Sequence, residues 1–124
     1  MKYLFLIYAD EKIESAMSRA DLGQLLQAYG GYTRELEERG VIRGGEALQP
    51  VATATSIRRR DGKTMLTDGP FAETKEQLGG FYLVDCRDLD EALELAAKIP
   101  SAAYGTIEVR PIMDYAAAMA EEAG

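Results

Sequence analysis

Hydrophobic positions along the chain change period several times, and each change marks an element. Residues 3–9, Tyr-Leu-Phe-Leu-Ile-Tyr-Ala, are apolar at odd and even positions alike, the pattern of a strand covered on both faces. One face is expected to meet helices and the other a second sheet. A helical pattern then runs over 18–39, with Leu22, Leu25, Leu26, Tyr29, Thr33 and Leu36 on one stripe, Ser18 and Asp21 as an N-terminal cap and Gly40 as the stop. Val41-Ile42 begin a short extended piece ending in Gly44-Gly45, and Pro50 keeps the loop around 44–52 out of any helix. Two β-prone runs, 53–60 and 63–67, flank Asp61-Gly62, a dipeptide that suits the positive φ angles of a two-residue hairpin turn.

Asp68-Gly69-Pro70-Phe71 interrupts this ladder, because Gly-Pro cannot continue it, and the polar stretch 72–78 reads as a structured loop or single helical turn. Residues 79–86 form a strand with Phe81, Leu83 and Asp85 on one face and Tyr82 and Val84 on the other. Asp88 and Glu91 make a capping box for a helix whose buried stripe is Leu89, Ala92, Leu93 and Ala96, closed by Lys98-Ile99-Pro100. Residues 104–112 are the last strand, and 114–121 a short Ala-rich tail helix.

The order of elements is the α+β, ferredoxin-like βαββαβ plan: an antiparallel sheet with helices on one face, and a β-hairpin inserted at 53–67. At 124 residues the chain is expected to be one domain spanning 1–124. The apolar strand face away from the helices needs a cover, and a second copy packed sheet to sheet supplies one, so a homodimer is expected.

Acidic residues outnumber basic ones 21 to 14, for a net charge of -7, which repels nucleic acid and anionic membranes as partners. The basic run Arg58-Arg59-Arg60 alternates between strand faces and reads as a solvated strand end. One cysteine, Cys86, excludes an internal disulfide framework and a cysteine-rich zinc site. The apolar stretch near the start is short and broken by Asp10-Glu11-Lys12, so neither a signal peptide nor a membrane span is expected, and the location expected is cytoplasmic. The absence of histidine removes Ser/His and Cys/His nucleophile pairs and most zinc geometries. Any catalysis has to use Asp, Glu, Lys, Tyr or Arg, with no metal or organic cofactor expected.

The segment from Asp68 to Phe81, Asp-Gly-Pro-Phe-Ala-Glu-Thr-Lys-Glu-Gln-Leu-Gly-Gly-Phe, resembles the signature of the DGPF branch of the YCII-related family, and flanking stretches extend the resemblance over nearly the whole chain. The resemblance implies a ferredoxin-like subunit that pairs into a dimeric α/β barrel. It also implies a link of DGPF proteins with extracytoplasmic-function sigma factors, and enzymes on small ring compounds or lactones among YCII-like relatives. Where the family has a proposed catalytic pair it is a His and an Asp, the His on the first helix; the nearest positions here hold Asp21 or Tyr29, so that chemistry does not carry over.

Asp68, before the rigid Gly-Pro turn, is a candidate general base, or a turn residue whose carboxylate accepts backbone N–H groups of the loop starting at Gly69. Glu73 is the second candidate proton carrier. Lys75 with Glu73 and Glu76 lines a polar pocket or forms ion pairs, Arg58 is the best anion binder, and Phe71 anchors the loop to the core or stacks on a ligand. Tyr8 and Tyr29 offer an apolar ring with a polar tip. Two functions stay open. One is a small-molecule-binding, ligand-sensing dimer with a regulatory protein partner. The other is a cofactor-independent isomerase- or lyase-type enzyme on a small cyclic or carboxylated metabolite, using carboxylates for acid/base chemistry.

Overall fold

The computed structural model describes residues 1–123. In chain order the elements are β1 (Lys2–Ala9), α1 (Glu11–Ser15), α2 (Arg19–Glu38), β2 (Ile42–Ala47), β3 (Thr55–Arg60), β4 (Lys63–Asp68), β5 (Gln77–Asp85), α3 (Leu89–Ala96), β6 (Thr106–Pro111) and α4 (Tyr115–Ala123), with 3-10 turns at Val51–Thr53 and Pro100–Ala103. The sheet order is β2-β5-β1-β6, every pair antiparallel, which is the ferredoxin-like arrangement; β3 and β4 form a separate two-stranded ribbon.

Local chemistry places the ends of these elements. The Ser18 hydroxyl accepts the Asp21 N–H at 3.1 Å, and Gly40 takes φ +70° just past the end of α2. The Asp88 carboxylate accepts the Glu91 N–H at 2.9 Å, while the Glu91 carboxylate reaches back to the Arg87 N–H at 2.8 Å. Asp61 and Gly62 both adopt positive φ, 52° and 74°, closing the tight β3–β4 turn. The short helix α1 was not expected from the acidic break at Asp10; the Asp10 side chain caps it by accepting the Lys12 N–H.

One continuous core joins Tyr3, Phe5 and Ile7 of β1 and Val84 of β5 to Tyr32 and Leu36 of α2 and to Ala92, Leu95 and Ala96 of α3. The Tyr32 hydroxyl donates to the Leu95 carbonyl at 2.9 Å, tying the two helices together. Two expected stripes are corrected. In α3 Leu95 is buried while Leu89 and Leu93 are exposed, because the helix turns its Ala92–Leu95–Ala96 side to the sheet. In α2 the stripe is buried only toward its C-terminal end: Leu36 is in the core together with Tyr32, which lies outside the expected stripe, whereas Leu22 and Leu26 are 40% and 64% exposed.

Gly44 and Gly45, expected to open a loop, instead continue β2 through a register irregularity between Ile42 and Gly44. Gly45 is where the Tyr82 ring comes close: a Cβ built on it would lie 2.9 Å from Tyr82 Cδ1 and 3.0 Å from the Phe81 carbonyl oxygen. Gly44 has nothing nearer than Leu83 Cβ at 3.9 Å. Gly45→Ala should therefore destabilise the chain by about 1–3 kcal/mol, through overpacking against ring and backbone. Gly44→Ala should stay within about 0.5 kcal/mol of the parent. Urea unfolding of the two variants checks the difference, and equal midpoints would refute the close-approach account.

Candidate functional site

The partial burial of α2 has a structural cause. The sheet beneath the N-terminal half of the helix is floored by Gly45, Gly79, Gly80 and Ala47, which leave no side chain large enough to meet the leucines above. The result is a cleft of about 650 Å³, walled by Leu22, Leu25 and Leu26 on the helix and by Ile7 and Leu48 opposite. Glu11, Glu14, Ser15, Tyr29 and Ser101 line it where α1, α2 and the Pro100–Ala103 turn meet, and Thr33, Glu46, Gln77 and Tyr82 add polar groups elsewhere.

At that end four residues form a hydrogen-bonded chain. Tyr29 and Ser101 share a short hydroxyl contact, Ser101 and Tyr104 are 3.2 Å apart, and the Tyr104 hydroxyl donates to Glu14 Oε1 at 2.7 Å. Ser101 is 2% exposed, so its hydroxyl has to be satisfied inside the protein. Burial is the main cause raising the Tyr104 pKa to about 12 and raising that of Tyr29, with Glu14 adding a repulsive contribution to both. Both hydroxyls are therefore neutral near pH 7. Farther along the cleft Thr33 and the Tyr82 hydroxyl pair at 2.8 Å, and the Glu11 carboxylate accepts the Val51 N–H at 3.0 Å.

The residues expected from sequence are dispersed. Tyr29 lines the large cleft, as a member of the hydroxyl chain. Glu73 and Lys75 line a separate hollow of about 430 Å³ beside Asp10, Lys12 and Pro70. Tyr8 is half-buried on the opposite sheet face, in register with Thr106 of β6. Arg58 stands exposed on the ribbon across from Met65, outside both hollows. Phe71 is 80% exposed, which corrects its reading as a plug anchoring the loop to the core. Asp68 and Glu73 do not converge on one void. Glu14, Ser101 and Tyr104 were absent from the sequence reading; a hydroxyl-rich turn between Pro100 and Gly105 is the one hint the sequence offers of them. Cys86 is buried, and burial raises its thiol pKa, so it is a poor nucleophile.

The Asp68 turn is held differently from the architectural reading. The Gly69 N–H donates to the Ala54 carbonyl at 2.7 Å, and the Ser56 hydroxyl donates to the Gly69 carbonyl at 2.9 Å. Among the described residues the exposed Asp68 carboxylate accepts no hydrogen bond, since Gly69 at φ +96° directs its N–H across the ribbon. Thermal melts should accordingly show Ser56→Ala losing about 1 kcal/mol. Asp68→Ala should change stability by less than about 0.5 kcal/mol. The reverse order would restore Asp68 as the keystone of the turn.

An uncharacterized protein of Rhizobium meliloti (strain 1021) is 41% identical over 117 residues, which span 93% of this chain and 94% of that protein. The model of the YCII-related domain matches residues 1–116, and the chain belongs to the YCII-related family.

Proposed function

We propose that this chain is a small-molecule-binding protein that seats an apolar ligand beneath α2 and works as a homodimer. The observation that carries the binding reading is the cleft itself. Three leucines of an otherwise well-capped helix face a hollow rather than the core, and its volume of about 650 Å³ falls in the usual range for ligand pockets, about 300–1,000 Å³. Leaving such side chains wet forgoes burial energy of about 1.5–3 kcal/mol each, which an apolar ligand would restore. Ligand occupancy would then be passed to a regulatory protein partner, the sigma-factor linkage of similar proteins being an associational ground for that step.

Turnover is the second reading, and the hydroxyl chain from Tyr29 to Glu14 is the feature that favours it, because it links the Glu14 carboxylate to the Tyr29 hydroxyl through protons that can shift in sequence. Binding ranks first because Asp68 and Glu73 share no void and the tyrosine hydroxyls are displaced upward, away from neutrality.

The dimer reading rests on the sheet face opposite α2 and α3, where Leu4, Leu6, Tyr8, Phe81 and Leu83 are all half-buried and carry neither of those helices. A self-complementary sheet-to-sheet contact would cover it.

Amide NMR titration with benzyl alcohol, a neutral apolar probe, is expected to move the signals of Leu25, Tyr29 and Gly79, and Leu25→Trp is expected to suppress those shifts by filling the cleft. Shifts centred on Ala52 and Thr74 would move the site to the smaller hollow and end this reading. Light scattering at micromolar concentration should give twice the chain mass, with Leu83→Asp reducing it to that of a single chain; a parent protein that is monomeric removes the dimer from the proposal.

A further inference from the structure

The direction of the hydroxyl chain follows from counting protons. Tyr104 has one hydroxyl hydrogen and gives it to the Glu14 carboxylate, so between Ser101 and Tyr104 it is Ser101 that donates. When Ser101 gives its only hydrogen to Tyr104, Tyr29 is the donor between Tyr29 and Ser101. Three hydroxyls thus point their hydrogens the same way along the chain, from Tyr29 toward Glu14. What Tyr29 has left to offer a molecule in the cleft is oxygen lone pairs, which only a hydrogen-bond donor can use.

Charge points the same way independently of the hydroxyls. Glu11, Glu14 and Glu46 line the cleft, and among the described residues no lysine or arginine lines it. Among the described residues none of these three carboxylates is in an ion pair; Glu11 uses Oε2 on the Val51 N–H and Glu14 uses Oε1 on Tyr104, leaving one oxygen on each of those two. The apolar walls lower the local dielectric and strengthen the field of these charges. A net charge of -7 adds a long-range bias against anions.

Resting on the cleft reading above, we infer that the ligand is an apolar molecule carrying an amine, protonated at neutral pH, with its hydrocarbon part against Leu22, Leu25 and Leu26 and its ammonium group at the Tyr29–Glu14 end. This departs from the carboxylated metabolite expected from sequence. The anion binder of that expectation, Arg58, stands on the ribbon outside the cleft.

Three probes of nearly equal size and shape test the inference on the full chain: benzylamine, benzyl alcohol and benzoate, each titrated at neutral pH while the amide signals of Leu25, Tyr29 and Gly79 are followed. Benzylamine is expected to bind about tenfold more tightly than benzyl alcohol, the ratio that one charge-assisted hydrogen bond gives. Benzoate is expected to leave the cleft signals unmoved at the same concentration. Glu14→Gln should bring the amine-to-alcohol ratio toward one, and Glu11→Gln provides a second reading of the same ratio should the first variant fold poorly. Equal binding of amine and alcohol, or benzoate binding as well as the amine, overturns the inference while the cleft remains a binding site. Silence of the cleft signals with all three probes removes the binding site itself, and the inference with it.

Discussion

Everything distinctive in this molecule depends on helix α2 being anchored at one end. Leu36 and Tyr32 sit in the core, and the Tyr32 hydroxyl bonds the Leu95 backbone of α3, so the C-terminal half of the helix is fixed both by packing and by a buried hydrogen bond. The N-terminal half has no such hold, because the strands below it present glycine and alanine where other sheets present branched side chains. The helix runs unbroken across the gap, from Arg19 to Glu38, supported by its own ladder and the Ser18 cap. A cleft is the geometric result of a rigid rod fastened at one end over a floor without side chains.

This also marks how far the sequence could be read. Caps, turns and alternation are local, and Ser18, Asp61-Gly62, Asp88 with Glu91 and the two-faced strand 3–9 each led to the element observed. Periodicity reports which residues share a helix face, not what that face meets. Leu22 and Leu26 therefore read as core from the same spacing that places Leu36 in it. The Gly44-Gly45 pair read as a loop because glycine is a poor strand former; the close approach of the Tyr82 ring, decided by a residue far along the chain, reversed that.

The candidate site was the least legible part, and for a related reason. Glu14 meets Tyr104 across 90 positions and Tyr29 meets Ser101 across 72, so no window along the chain contains the set. The conspicuous motif, Asp68 to Phe71, drew attention to residues that lie at the foot of the ribbon, while the hydroxyl chain is assembled from residues that look ordinary one at a time.

The β3–β4 ribbon carries a consequence for how the protein holds together. It pairs with itself and not with the four-stranded sheet, and Ile57 and Leu66, which face each other across it, are 64% and 68% exposed. An isolated two-stranded hairpin is marginal in water. The ribbon therefore draws little of its order from the core, and can open and close as a unit of its own while the sheet and helices remain intact. Two tiers of cooperativity are expected from this: a body whose amides exchange slowly, and an arm whose backbone is within reach of proteases and of other strands' edges whenever nothing lies against it.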